Sequence, residues 1–172
     1  DPHYFHPGLG TTGPDFQAYI DADRKLLAES DAILEAAIGQ TRGEKADFVL
    51  VCGDMTKDGE RINHERVSEK IRRLHPEAPV YVIPGNHDVL SGDAYRYTAE
   101  GKERIPTVTA AEFRDIYAPF GYDQALAEDP ASLSYVVEPV AGLWLLGLDS
   151  CLWRENDLDS HPHVNGRFSP DT

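Results

Sequence analysis

The chain has 172 residues, of which 41% are hydrophobic. This length allows one domain with a hydrophobic core and is too short for two comfortable ones. Thirty acidic against sixteen basic residues give a formal net charge of -14, which disfavours binding to nucleic acid polymers or anionic membrane surfaces. No apolar run approaches the roughly 18 to 20 residues that a membrane span needs.

The first half of the sequence predicts alternating helices and strands. Apolar residues recur at helical spacing over about 15 to 39, which predicts one amphipathic helix. The short apolar run DFVLVC, 47 to 52, predicts a strand that is buried on both faces. A second helix is predicted over 60 to 74, and PVYVIP, 79 to 84, predicts the next strand.

The second half begins with a predicted long polar loop, 90 to 106. Thr109 and Glu112 form a capping-box pattern that opens a third helix. The stretches 134 to 140 and 142 to 149 predict two strands of a hairpin. Alternating helices and strands with a later hairpin indicate an α/β domain with a mixed sheet between helices.

Both ends of the chain predict further protein beyond them. Ser169 and Pro170 are typical of a helix start, so a helix is expected to follow Thr172. Asp1 begins a polar cluster of the kind that follows a strand, so a strand is expected before it. We therefore predict a single domain over 1 to 172 that is incomplete at both ends.

Polar residues collect at the first residues and directly after the two predicted internal strands. They are Asp1 and His3, Gly53 and Asp54, and Gly85, Asn86, His87 and Asp88. The carboxyl ends of strands converge at one edge of an α/β sheet, where ligands bind. Oxygen and imidazole donors without a thiolate suit a divalent ion such as Mn, Fe or Zn. The amide of Asn86 is a less common ligand and indicates a site already rich in carboxylate charge.

These three clusters, D-P-H, G-D and G-N-H-D in this order, resemble the first three motifs of the calcineurin-like metallophosphoesterases. The resemblance implies a four-layer αββα sandwich with mixed sheets and a centre of two divalent metal ions. It implies that Asp1 and His3 bind the first ion, that Asn86 binds the second, and that Asp54 bridges both. It also implies a small phosphate ester as substrate, hydrolysed by a metal-activated water.

The resemblance also implies roles for the two residues after Asn86. In the family the histidine equivalent to His87 contacts the phosphate and is a candidate proton donor to the leaving oxygen. Asp88 is then expected to orient the loop or the imidazole. Both are predicted catalytic-site residues that do not bind metal.

The sequence around Asp54 narrows the choice of subgroup within the family that the chain resembles. Related Ser/Thr phosphatases have an aspartate, and purple acid phosphatases a tyrosine, where this chain has Lys57. GDMTKDGE is instead similar to bacterial phosphodiesterases and to secreted relatives. This similarity implies an extracellular or cell-envelope location and leaves a cytoplasmic one open. The substrate, mono- or diester, cannot be read from the sequence.

Two later family motifs, a lone histidine and G-H-x-H, are not found up to Thr172. His161 and His163 have the H-x-H spacing, but no predicted strand leads into them and Ser160 replaces the glycine, so we do not expect them to bind metal. The second ion would have only Asp54 and Asn86. The isolated chain is therefore expected to bind at most about one metal tightly. The alternative is a non-catalytic metal-binding or interaction module derived from this fold.

Other conspicuous residues have ordinary structural explanations. His64 lies on the inward face of the second helix and is predicted to be a satisfied core histidine, and His6 is predicted to lie in a loop. Cys52 and Cys151 are predicted to be buried thiols. Asp149 is expected either to cap a strand end or to support the site.

Overall fold

The computed structural model describes residues 1–168 and Pro170. The helix start predicted at Ser169 lies outside these residues. The helices α1 to α4 are Pro14–Ala22, Ser30–Arg42, Arg61–Ile71 and Ala110–Ile116. The strands β1 to β7 are Val49–Cys52, Val80–Ile83, Tyr95–Tyr97, Lys102–Arg104, Ala127–Glu128, Tyr135–Val140 and Leu143–Gly147. None of the described helices is long and apolar enough to cross a membrane.

The strands form parallel and antiparallel sheets. Strands β1 and β2 pair in parallel, with Val49 opposite Val80. Strands β5, β6 and β7 form an antiparallel sheet, and β3 pairs with β4 as a separate hairpin. The α/β class is confirmed, and the helices and several small sheets are consistent with the four-layer sandwich that the resemblance implies. The prediction of mixed sheets is wrong for the described residues, since each of their sheets is either parallel or antiparallel throughout.

One main hydrophobic core joins the helices α2 to α4 with β1, β2 and β6. The Tyr135 hydroxyl of β6 donates a hydrogen bond to the carbonyl of Val82 in β2 at 2.7 Å, which ties the two sheets together. A second cluster contains Phe5, Phe16 and Tyr97, whose rings pack within 6.2 Å of one another. This second cluster holds the first residues of the chain against α1 and the β3–β4 hairpin.

The single helix predicted over 15 to 39 is wrong, because the chain forms two helices with a break over 23 to 29. The Asp23 carboxylate accepts hydrogen bonds from the backbone N–H groups of Arg24 and Lys25, which ends α1. Leu27 is buried while Leu26 is 63% exposed, so these neighbours do not belong to one helical face. Asp side chains compete with helical hydrogen bonds in this way, and the apolar spacing concealed it.

The prediction that the first strand is buried on both faces is also wrong. Leu50 is 46% exposed, and the burial of β1 alternates along the strand. Val49 and Val51 pack on the main core, while the opposite face of the strand is open. For the same reason the prediction of a buried thiol fails for Cys52, which is exposed; Cys151 is partly buried.

The polar loop predicted over 90 to 106 contains the short hairpin β3–β4. Its tyrosines alternate with charged residues, and Tyr97 is buried in the second cluster. The other second-half predictions are confirmed. Thr109 and Glu112 form a complete capping box at α4, and β6 and β7 form the predicted hairpin.

His64 is fully buried and satisfied, as predicted. Its Nε2–H donates to the carbonyl of Asp88 at 2.8 Å, and its Nδ1 accepts from the Tyr117 hydroxyl at 3.0 Å. The pKa of His64 is lowered to about 4, chiefly by burial; the hydrogen bond to the Asp88 carbonyl raises it, and the positive charge of Arg61 adds to the lowering. The native protein therefore keeps this imidazole neutral.

We expect His64 to make the protein less stable as the pH falls. Unfolded chains take up this proton near the ordinary pKa of 6.5, whereas the native state resists it down to about 4. The unfolded state thus binds more protons in this window, and the stability falls by about 3 kcal/mol between those two values and then levels off. Urea denaturation at a series of pH values should give a flatter profile for His64→Gln than for the wild type. The exposed His161→Gln variant is the control and should keep the wild-type slope.

Candidate metal centre

The first residues of the chain run beside the loop that follows β1. The His3 N–H donates to the carbonyl of Asp54 at 2.9 Å, and Tyr4 pairs with Thr56 in a parallel bridge. The Phe5 N–H donates to the hydroxyl of Ser30 at 3.0 Å, which fixes the segment on α2. These contacts hold His3 next to Asp54.

Two glycines allow the loops after β1 and β2 to touch. Gly53 has a φ of +82°, and a Cβ there would lie 2.7 Å from the Cα of Gly85. A Cβ on Gly85 would lie 2.2 Å from both the backbone nitrogen and the Oδ1 of Asp54. Only glycine at both positions permits this close approach.

The backbone is strained at the same place. Non-glycine residues with positive φ in the described chain are His3 at 42°, Asp54 at 45° and Leu90 at 50°. Such conformations cost of order 1 to 3 kcal/mol each and cluster at functional sites. Two of these three residues, His3 and Asp54, lie next to each other in the candidate metal site.

Asp1, His3 and Asp54 form a cluster of possible metal ligands. One donor atom from each lies within 4.8 Å of the other two. The Nε2 of His3 is 3.8 Å from the Oδ2 of Asp54. Burial and the charge of Lys25 lower the pKa of His3 more than the carboxylates raise it, so its imidazole is held neutral. A neutral imidazole between two carboxylates fits a divalent cation.

A buried polar atom without a hydrogen-bond partner supports the fit of this cluster to a cation. The Nδ1 of His3 is buried and has no hydrogen-bond partner among the described residues. Buried polar nitrogens are normally paired, so an unsatisfied one indicates a group that protein atoms alone do not complete. The Nδ1 of the His3 ring is therefore not held by a hydrogen bond of the kind that structural histidines make.

Asn86 lies between two residues that contact Asp54. Gly85 packs directly on the Asp54 backbone, and the His87 N–H donates to the Asp54 Oδ1 at 3.1 Å. The Asn86 side chain is partly buried and makes no hydrogen bond to a described residue, so its amide oxygen is available as a ligand. All four predicted metal ligands thus belong to three segments that meet at one point.

His87 is oriented by a residue that the sequence analysis missed. Its Nδ1 lies 2.7 Å from the Oδ1 of Asp58, and its ring meets that of His3 edge to face at 5.2 Å. Asp58 is 2% exposed. The sequence analysis compared position 57 with the phosphatases and did not consider the next residue of GDMTKDGE. That residue, Asp58, supplies the carboxylate that contacts His87.

Lys57 holds Asp58 in place from the other side. The Lys57 ammonium is fully buried, donates to the Asp58 carboxylate and to the Asp93 carbonyl, and lies 3.9 Å from Glu60. Burial raises the pKa of Asp58, but His87 and Lys57 lower it by more, so it stays ionised. An ionised Asp58 must accept the hydrogen bond, so His87 carries a proton on Nδ1.

The same contact favours the charged form of His87. Burial lowers the pKa of His87, but the hydrogen bond and charge of Asp58 raise it by more, so the net shift is upward. Because Nδ1 is occupied by Asp58, only Nε2 remains to exchange a proton with a bound molecule. A histidine oriented in this way has the properties of a general acid.

Asp88 joins the two loops and does not contact the ring of His87. Its carboxylate accepts hydrogen bonds from the N–H groups of Met55, Thr56 and Gly85 and from the Thr56 hydroxyl, at 2.9 to 3.1 Å. It is completely buried. Asp88 was expected to orient either the loop or the imidazole of His87, and these hydrogen bonds orient the loop.

We expect Asp88→Ala to destabilise the fold strongly. The change would leave two buried N–H groups, a third that is partly buried and a hydroxyl without their acceptor. Because each unsatisfied group costs roughly 1 to 3 kcal/mol, the unfolding free energy should fall by at least about 3 kcal/mol. Chemical denaturation measures it, with the exposed Asp47→Ala as the control. A loss below 1 kcal/mol would contradict this role for the carboxylate.

His6, His161 and His163 do not belong to the ligand cluster of Asp1, His3 and Asp54. His6 accepts a hydrogen bond from Gly8 and caps a short turn, in agreement with its predicted loop position. His161 bonds to Asp93 at 2.5 Å and is 91% exposed, while His163 contacts the Glu155 carbonyl. The Asp149 carboxylate accepts hydrogen bonds from Leu133, Cys151 and Trp153, which corresponds to the first of the two roles predicted for it, a cap at a strand end.

Comparison with known proteins agrees with this geometry. The family model described as calcineurin-like phosphoesterase matches residues 1–157, which contain all of the motifs above. No curated protein gives a match to the chain. The matched region covers most of the 172 residues. The chain therefore belongs to the calcineurin-like phosphoesterase family.

Proposed function

We propose that the protein is a two-metal phosphoesterase that hydrolyses phosphodiesters, with Mn, Fe or Zn as its ions. The observation that carries the proposal is the meeting of Asp1, His3 and Asp54 within 4.8 Å, beside a histidine whose outer nitrogen is free. Metal binding alone would not require this oriented histidine. The family supports metal-dependent ester hydrolysis, and the choice of diesters rests on the similarity of GDMTKDGE to phosphodiesterases.

The proposed ligands divide between two positions. Asp1, His3 and Asp54 would hold the first ion, and Asp54 with Asn86 would supply part of the second site. When bound, such ions would polarise the phosphate oxygens and lower the pKa of an attacking water. Asp88 holds the two ligand-bearing loops at a fixed separation, and the glycines at 53 and 85 allow that separation to be short.

His87 acts on the leaving group. Attack by a water oxygen forms a new P–O bond, and the ester P–O bond breaks with its electron pair on the leaving oxygen. The protonated His87 donates its Nε2 proton to that oxygen, so the alcohol leaves neutral. The water loses one proton to solvent, and His87 regains its proton from solvent afterwards. Asp58 stabilises the imidazolium before transfer and keeps Nε2 directed at the substrate.

The similarity to secreted relatives supports an extracellular or cell-envelope location. The high net negative charge supports a small phosphate ester rather than a nucleic acid polymer as substrate. These two points concern the location and the substrate class of the enzyme, and the proposed mechanism does not depend on them.

Turnover of bis-p-nitrophenyl phosphate by the full-length protein tests the proposal. We expect hydrolysis with added Mn, loss of activity with a chelator and recovery when Mn is restored. The non-catalytic alternative instead predicts that metal binds without turnover. Absence of metal-dependent hydrolysis of both mono- and diesters would reject the enzyme.

A further inference from the structure

A cavity of about 300 Å³ lies beside His87. His87 and Asp58 form part of its wall, and the rest includes Tyr19, Tyr95 and residues of the β3–β4 hairpin. The four proposed metal ligands are not among the described residues that line it. The cavity is therefore next to the proton donor and outside the metal cluster. We call it the lysine cavity, because Lys25, Lys57 and Lys102 line it.

Lysines are concentrated in this cavity. The chain contains five lysines, and three of them, Lys25, Lys57 and Lys102, line its wall. Three aspartates, Asp23, Asp58 and Asp93, also line it, so lysine and carboxylate charges balance in this cavity of a chain with a net charge of -14.

The carboxylates of the lysine cavity already have partners. Asp58 binds Lys57 and His87, and Asp23 lies 3.6 Å from Lys25 and accepts from the Tyr19 hydroxyl. The Asp93 carboxylate bonds to His161. None of these groups needs a further cation.

Of the three lysines that line the cavity, Lys102 is the one without a carboxylate partner among the described residues. No described acidic group lies within 4.0 Å of its ammonium, which sits 4.2 Å from the centre of the Tyr95 ring. It is exposed at the start of β4, so an entering molecule can reach it. The aromatic contact supports the charge without neutralising it.

We propose that the lysine cavity receives the leaving half of a phosphodiester whose leaving alcohol carries a second anionic group, and that Lys102 recognises this group. The inference rests on the proposed function, because it places the leaving oxygen at His87. A proton donor must lie within hydrogen-bond reach of the leaving oxygen, so the leaving alcohol extends into the space beside that donor. A carboxylate or a second phosphate meets an unpaired ammonium there.

Two matched pairs of substrates test this assignment with full-length, Mn-loaded protein. The first pair is methyl 4-carboxyphenyl phosphate and methyl 4-carbamoylphenyl phosphate, which differ in charge on the leaving phenol. The second pair is 2-carboxyethyl and 2-carbamoylethyl 4-nitrophenyl phosphate, which differ in charge on the retained half. The ratio of kcat/KM values within each pair measures recognition of the anion, and comparison of variants cancels the intrinsic reactivity of the phenols.

We expect Lys102→Gln to lower the carboxylate-to-carboxamide ratio of the first pair by about 10-fold, which corresponds to one charge-assisted hydrogen bond. The change should occur mainly in KM, and the ratio of the second pair should stay as it is. Lys45→Gln is the matched control, since Lys45 is exposed and outside the cavity, and it should leave both ratios unchanged.

Three results would overturn the inference. An unchanged first ratio in Lys102→Gln would show that Lys102 does not bind the leaving half. A change confined to the second pair would place the retained half in the cavity. If no diester is hydrolysed, the proposed function fails by itself, and calorimetric titration with the first pair as ligands then tests the cavity. Equal affinities of the two ligands would reject the inference as well.

Discussion

Replacement of Asp54 by Asn is expected to weaken metal binding by at least about 100-fold and to abolish metal-dependent hydrolysis. Loss of an outer partner of a ligand already costs roughly 10 to 100-fold in metal affinity, so loss of a carboxylate that we propose to bridge two ions should cost more. One charge is removed from between two cations, which then repel each other with less compensation. Elemental analysis and calorimetric titration of the variant measure the loss.

The fold should survive this substitution. The Asn side chain has the size of Asp, and its Oδ1 can still accept the His87 N–H. The thermal midpoint of the metal-free Asp54→Asn protein should therefore stay close to that of the metal-free wild type. Asp47→Asn, at an exposed position, is the control for metal content. Wild-type metal affinity in Asp54→Asn would remove this residue from the site.

Replacement of His87 by Ala is expected to lower kcat by roughly 100-fold or more while metal content is retained, because it removes a general acid. Asp58→Asn should lower kcat in the same direction by a smaller factor, since the histidine remains but loses the charge that holds its proton and orientation. Single-turnover kinetics and elemental analysis on the same samples separate the two effects.

A matched control for His87 is His163→Ala, because that histidine is exposed and does not line the cavity beside His87. It should keep kcat within a few-fold of the wild type. If His87→Ala and Asp54→Asn lose metal to the same extent, His87 is a metal ligand and its assignment as proton donor is wrong.

The residues of the candidate site could be predicted from the sequence because strand ends and glycines fix their positions. Asp54 follows β1 and Asn86 follows β2, and a parallel pair brings both loops to the same edge. The contact between Gly53 and Gly85 then sets how close they come. His3 reached the same place because its segment pairs with the loop at Thr56.

Other features depend on contacts that no local pattern encodes. The break between α1 and α2 arises from side-chain bonds of Asp23, which apolar spacing does not reveal. The pairing of Asp58 with His87 joins residues 29 positions apart. The hairpin β3–β4 forms because Tyr97 is buried against Phe5 and Phe16, so a polar segment becomes ordered through distant aromatic residues.

The central claim, a metal site built by Asp1, His3 and Asp54, is tested most directly by anomalous diffraction at the zinc edge from crystals of the zinc-loaded, full-length protein. The account predicts a zinc peak bonded to His3 nitrogen at about 2.0 to 2.1 Å and to carboxylate oxygens of Asp1 and Asp54 at about 2.0 to 2.2 Å. A peak that lies instead between His161 and His163, or no peak beside Asp54, would contradict it.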